Sequence, residues 1–252
     1  MRLGIFAACG IAAVVLFFCV GVPFLRQHST APATAVEVGA TLPSCDFSAV
    51  GIDISHNNAG PIDWDKLRVL VDRSGRTVSS PDNAKRVLPV GFVFIKATEG
   101  ATMKDPRFRE YWDAAGQRDI QRGAYHFFRS SKDGAVQARH YIATVGDLRH
   151  SDLPPVLDIE TIHRGCSRKM LNQRVLQWLE TVSEHYSRTP VIYTGDKFAA
   201  DLLDKSITSR YPVWIAHYGV PAPDFDGWAY WQFTDRAVVF GLPEPVDLSV
   251  RR

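Results

Sequence analysis

A chain of 252 residues with a formal net charge of +2, 46% hydrophobic and 22% charged residues, has the balance of a globular protein with material for one large core or two small ones. Nucleic-acid binding is excluded as a main role, because no basic run and no interleaving of basic with aromatic residues occurs.

The N-terminus stands apart. Residues 3–25 carry no charge, with Arg2 before them and Arg26 and His28 after. At about 1.5 Å per residue, a helix of that length crosses a bilayer core. Residues 1–28 are read as a transmembrane signal anchor; the alternative is a signal peptide cut after Ala35, where "ATA" offers small residues. Either reading delivers the remainder across a membrane, to stay at the cell membrane or to be secreted or periplasmic. Residues 29–45, rich in Ala, Thr, Pro and Val, read as a linker, and 46–252 as one domain. Beyond the apolar segment the cysteines are Cys45 and Cys166, which either pair or are two unrelated thiols.

Eight short apolar runs follow in order: "GIDIS" at 51, "FVFIK" at 92, "AYHFF" at 124, "PVLDI" at 155, "PVIYT" at 190, "PVWIA" at 212, "AYWQF" at 229 and "VDLS" at 246. Their brevity and their β-branched and aromatic residues predict strands. Helical patterns lie between them. Residues 105–119 offer Asp105 as N-cap, with Phe108, Tyr111 and Ala115 on one face. Residues 132–146 carry Val136, Tyr141 and Val145 as apolar positions. Residues 167–186 have Ser167 as cap and a stripe of Leu171, Val175, Trp178, Val182 and Tyr186. A shorter pattern spans 196–206. Alternation of strand and helix predicts a parallel sheet, and eight strands predict a closed TIM-like barrel of which the first five units are β/α. Residues 72–90 read as a polar surface insertion.

Acids interrupt these strands. Asp53 lies between two isoleucines, Asp247 between Val246 and Leu248, and Asp158 and Glu160 sit two apart in "LPPVLDIE". Side chains alternate faces along a strand, so Asp158 and Glu160 point one way and Leu157 and Ile159 the other. Buried carboxylates are costly, and a close pair suits chemistry in which one holds a proton while the other stays ionised. Parallel barrels gather catalytic side chains at the C-terminal strand ends. Four acids there suit either a divalent cation or glycoside hydrolysis. No HExxH, CxxC or EF-hand pattern supports a metal, and no cofactor is expected. Aromatics near strand ends (Trp64, Tyr125, Tyr193, Trp214, Tyr218, Tyr230 and Trp231) favour sugar.

In order, "GIDISHNN", "FVFIKATEG", "DPRF", "RGAYHFFR", "LPPVLDIE", "PVIYTG" and "WAYWQFT…VDLS" resemble glycoside hydrolase family 25, the lysozymes that cleave peptidoglycan, over about residues 48–249. The resemblance implies a (β/α)5β3 barrel and hydrolysis of the β-1,4 bond between N-acetylmuramic acid and N-acetylglucosamine. It places the family's D-x-E motif on Asp158 and Glu160. Glu160 is then the general acid and Asp158 the partner that stabilises positive charge or steers the N-acetyl group. Asp53 and Asp247 match the first- and last-strand aspartates, and Tyr125 a tyrosine of the cleft. Tyr193, Trp214, Trp231 and Gln232 are further candidates for substrate contact. The expected partners are peptidoglycan strands and, through residues 3–25, a membrane; a monomer is expected. The chain departs from the family where Asn57, Asn58 and Ala59 replace a Gln-Gly and where Ser249 replaces an Asn. A non-catalytic glycan-binding barrel is the alternative function.

Four smaller signals complete the reading. Lys96 and Glu99 are expected to form an ion pair at the rim, and His126 to be packed and hydrogen-bonded. His56 and His217 are expected to be polar loop residues, and Ser55 is placed to orient Asp53.

Overall fold

The computed structural model describes residues 38–252 apart from 59 and 119. The segment read as an anchor lies outside the described residues; among those described, no helix is long and apolar enough to cross a membrane. In chain order the strands are β1 (Val38–Thr41), β2 (Ala49–Ile54), β3 (Arg68–Val71), β4 (Arg76–Val78), β5 (Arg86–Glu99), β6 (Met103–Lys104), β7 (Gln121–Phe127), β8 (Val156–Asp158), β9 (Val191–Gly195), β10 (Val213–Ala216), β11 (Tyr230–Ala237) and β12 (Val246–Arg251). The helices are α1 (Phe108–Gly116), α2 (Gly134–Val145), α3 (Arg168–Tyr186), α4 (Asp196–Leu202) and α5 (Lys205–Thr208).

All eight predicted runs become strands of one closed ring. β2, β5, β7, β8, β9, β10 and β11 pair in parallel, each with the next. β12 then pairs antiparallel with both β11 and β2 and closes the barrel. Parallel neighbours need crossovers, and α1, α2 and α3 supply one each, with α4 and α5 together supplying the fourth. The first crossover is not an α-helix, contrary to five helical units. Gly60 and Pro61 interrupt it, and it consists of a 3-10 turn at Trp64–Lys66 and an antiparallel ribbon of β3, β4 and the start of β5. The stretch 72–90, read as a polar surface insertion, contains β4 and the start of β5 and so forms part of this ribbon. β1 pairs with β4, so residues 38–41, inside the expected linker, belong to the folded body.

Alternation divides the strand side chains into two layers. Ile52, Ile54, Val93, Ile95, Leu157, Ile159 and Ile215 face the helices, where Tyr141, Val175 and Trp178 cover them. Phe92, Phe94, Val156, Tyr193, Trp214 and Tyr230 fill the barrel interior, with Phe94 stacked on Trp214 at 4.6 Å. That aromatic filling needs glycine opposite it. A Cβ on Gly51 would lie 2.2 Å from the Phe92 ring, and one on Gly123 2.6 Å from that of Phe94.

Two helices begin on side-chain caps, and α1 does not begin on the cap that the sequence offered. Asp133 caps α2, accepting from Val136 N–H, and Ser167 caps α3, accepting from Met170 N–H. Asp105 does not cap α1, which starts three residues later behind Arg107. Its carboxylate accepts instead from Arg107 N–H and from His56. On α2, Val136 faces solvent and Gln137 the core. Cys45 and Cys166 are both free thiols.

Candidate active site

The four strand acids share one face and one end of the barrel. Asp53 on β2 lies directly opposite Asp247 on β12. Asp158 ends β8, and Glu160 follows on the same face just beyond it. Going round the ring, β8 is three strands from β2 and four from β12, so the two pairs face each other across the mouth. Asp158 is 5% exposed, whereas Glu160 is open to solvent.

Burial sets the electrostatics. It raises the Asp158 carboxyl well above its ordinary value, and the charge of Glu160 and a hydrogen bond with it push the same way, against a smaller pull from Lys96. Asp158 Oδ1 is buried and has no hydrogen-bond partner. Asp53 is also raised well above its ordinary value, first by burial and next by Asp247; a hydrogen bond from Gln232 opposes this, and Glu160 adds to it. Burial and the neighbouring Glu160 thus both favour the protonated form of Asp158. Burial also raises Tyr125, and the charges of Asp53, Asp158 and Asp247 add to it. Tyr193 is raised too, by burial first and then by Tyr218, Glu160, Asp158 and Asp53. The four acids and these two tyrosines form one electrostatic cluster.

A polar chain supports Asp53. Gln232 Nε2 donates to Asp53 Oδ2 at 2.8 Å, and Gln232 Oε1 accepts from the Tyr193 hydroxyl at 2.8 Å and from the Tyr218 hydroxyl.

The same stretch that carries this geometry matches a family model. The model for glycosyl hydrolases family 25 covers residues 52–242. The chain belongs to glycosyl hydrolase family 25. It is a glycoside hydrolase. The YegX protein of Escherichia coli K12, described as uncharacterized, is 39% identical over 207 residues, covering 81% of this chain and 70% of that protein. Lysozyme M1 of Streptomyces globisporus is 31% identical over 222 residues, covering 82% of this chain and 69% of that protein. The crystal structure of a bacterial lysozyme from Streptomyces coelicolor superposes with a TM-score of 0.67 at 30% identity, covering 81% of this chain and 92% of that one. A family 25 glycosyl hydrolase from Bacillus anthracis gives 0.66 at 26% identity, covering 81% and 89%.

Within the family 25 barrel, the expected substrate contacts separate. Tyr125 and Tyr193 lie among the acids. Trp214 does not reach a cleft surface: it is 2% exposed, packs on Phe94 and Tyr193, and donates through Nε1 to Ser249 Oγ at 3.0 Å. Ser249, a departure from the family pattern, is thus the anchor of that indole. Trp231 points outward. It is 1% exposed, packs with Trp228 and Phe233, and donates to the His217 carbonyl. The pleat decides this, because Tyr230 and Gln232 on either side of it point inward. Gln232 is equally enclosed, and its bonds go to protein groups.

Lys96 Nζ lies 2.7 Å from Glu99, and Arg129 also pairs with Glu99. Burial pushes Glu99 up, but the hydrogen bonds from Lys96 and Arg129 outweigh it and hold the carboxyl below its ordinary value. His126 is buried, stacked on Trp178, and hydrogen-bonded with Thr98 and Gln137. Burial lowers it to about 3. His56 Nδ1 bonds Asp105 Oδ2 at 2.7 Å. Ser55 and Asn58 close the turn after β2: Asn58 Oδ1 accepts from Ser55 N–H, and Ser55 Oγ accepts from Asn57 N–H. The Ser55 hydroxyl thus serves the turn and not Asp53. Beyond β9 and β10, ligand atoms of Asp196, His217 and Asp224 lie within 4.8 Å of one another, with His217 Nδ1 2.8 Å from Asp196 Oδ2. Tyr218, one of the aromatics expected near strand ends, joins the polar chain through its hydroxyl. Its only sequence signal is its place two residues past a barrel strand.

Proposed function

We propose that the chain is a muramidase, hydrolysing the β-1,4 bond between N-acetylmuramic acid and N-acetylglucosamine in peptidoglycan. The observation that carries the reading is the meeting of Asp53, Asp158, Glu160 and Asp247 at one barrel mouth, with buried Asp158 hydrogen-bonded to exposed Glu160. The lysozymes among its relatives support the same substrate.

Glu160 is the general acid. It is the member of the pair that a glycan laid across the mouth can reach, and the proton held between the two carboxyls passes through it to the leaving oxygen. Asp158 then carries the charge, shielded from water, where it acts strongly on a developing oxocarbenium centre. Its Oδ1 awaits a donor, and an N-acetyl N–H supplies one. Asp53 and Asp247 form the facing wall, and Tyr125 and Tyr193 line the floor between. The enzyme works outside the cytoplasm, held by residues 1–28 or released.

The test is incubation of the protein with purified peptidoglycan, a reducing-end assay, and mass analysis of the fragments. New reducing ends on N-acetylmuramic acid are expected, and Glu160→Gln abolishes them while leaving the thermal midpoint in place. Full activity in Glu160→Gln defeats the assignment. Sugar binding without new ends assigns a glycan-binding barrel instead, and loss of cleavage on chelation assigns a metal-dependent hydrolase.

A further inference from the structure

We propose that Gln232 is a positioning residue that fixes the Asp53 carboxyl through Oδ2, and that Tyr218 links this arrangement to glycan seated at the rim. The proposal deepens the muramidase reading, on which its kinetic arm rests.

Gln232 is 1% exposed and held at three points. Both acceptor positions of Oε1 are taken by tyrosine hydroxyls, from Tyr193 and Tyr218. The amide nitrogen therefore faces Asp53, and Oδ2 receives an N–H at 2.8 Å rather than meeting a carbonyl. A donor at that place favours the charged form of the acid. Its surroundings otherwise favour the proton. Asp247 faces Asp53 from β12, Asp158 and Glu160 from β8 and just past it, Tyr125 from β7, Tyr193 from β9, and Tyr218 from the loop after β10. Lys96 of β5 acts on Asp158. Gln232 thus fixes which oxygen of Asp53 accepts an N–H, and it offsets part of the rise that burial and Asp247 impose on that carboxyl.

The two tyrosines differ in reach. Tyr193 is enclosed in the barrel, whereas Tyr218 is 43% exposed. A sugar ring stacked on Tyr218 clamps the ring whose hydroxyl holds the amide, so filling the rim steadies Asp53.

Tyr218→Phe keeps the stacking face and removes one hydroxyl. We expect kcat to fall about tenfold, the scale of one lost hydrogen bond to a polar network, with KM within about twofold. Gln232→Leu removes the donor, and the acid limb of the kcat profile should move up by about one pH unit. Wild-type kcat and pH profile in both variants, with circular dichroism showing them folded, overturn the proposal. An arm independent of activity is infrared titration of the protonated-carboxyl band, using Asp53→Asn to identify its share. In Gln232→Leu that share should persist to higher pH than in wild type. An unchanged titration overturns the proposal even where no glycan is cleaved, whereas a shifted titration in a protein inactive on peptidoglycan upholds it and refutes the muramidase reading alone.

Discussion

Replacing Asp158 with Asn should make the protein more stable at neutral pH while removing its activity. The carboxyl is 5% exposed, adjoins Glu160, and has one oxygen without a partner. Burial raises its pKa in the folded state. The unfolded chain therefore loses this proton first as pH rises, and the folded state binds more protons between the two values. Stability falls with rising pH through that window and stays reduced above it. Two unit charges about 4 Å apart repel by about 4 kcal/mol at an effective dielectric of about 20. Holding a proton avoids most of that repulsion, and the remainder that Asn recovers near neutrality is about 1–2 kcal/mol. For a chain of this size that is a rise in Tm of about 2–8 °C. The assay is a series of thermal melts from acid to neutral pH on wild type and Asp158→Asn. The gap between the two should widen as pH rises and close in acid. A variant less stable than wild type at neutral pH, or a gap independent of pH, refutes the reasoning.

His126 works in the opposite sense: its folded pKa is lowered to about 3 by burial, so its contribution is present above the unfolded value of about 6.5 and is lost as pH falls from there towards 3. Potentiometric titration across unfolding at intermediate acid pH should show a proton taken up at this site, and His126→Gln should lose that uptake. Asp152→Ala leaves the Arg122 guanidinium buried without its 2.8 Å carboxylate partner and should cost about 3–5 kcal/mol in a urea titration. Trp231→Phe should lower the thermal midpoint by enlarging the outer core, yet leave kcat/KM on peptidoglycan within about twofold, because this indole faces away from the mouth.

The barrel was legible because its strands are written in short β-branched runs, and the site because acids interrupt those runs at a spacing of two. A carboxylate flanked by Leu157 and Ile159 has no cheap structural explanation, so Asp158 and Glu160 stand out in the sequence alone. What the residues could not convey was direction. Trp214, Trp231 and Gln232 lie near one another in the folded protein and are all buried, yet one indole fills the barrel interior, the other packs under the outer layer, and the amide is tied to Asp53. Pleat parity settles which is which, and it depends on a register that only strand pairing fixes. The helix predicted within residues 105–119 forms with Phe108, Tyr111 and Ala115 buried, but its start differs for a related reason. Asp105 has the composition of a cap, but His56 and Arg107 N–H compete for its carboxylate. Gln137 sits in the core although it is polar, because His126 and Arg129 N–H both bond its amide oxygen. The first crossover carried no helical period, and its polar stretch hid a β-ribbon whose partners are distant in sequence.

The interior filled by Phe92, Phe94, Trp214 and Tyr230 gives the barrel a closed bottom. A long polymer cannot thread such a vessel end to end; it must settle across the opening like a rope over a cup, and it leaves by the way it came. Any stretch of a strand can therefore be offered to that opening without an end being threaded first.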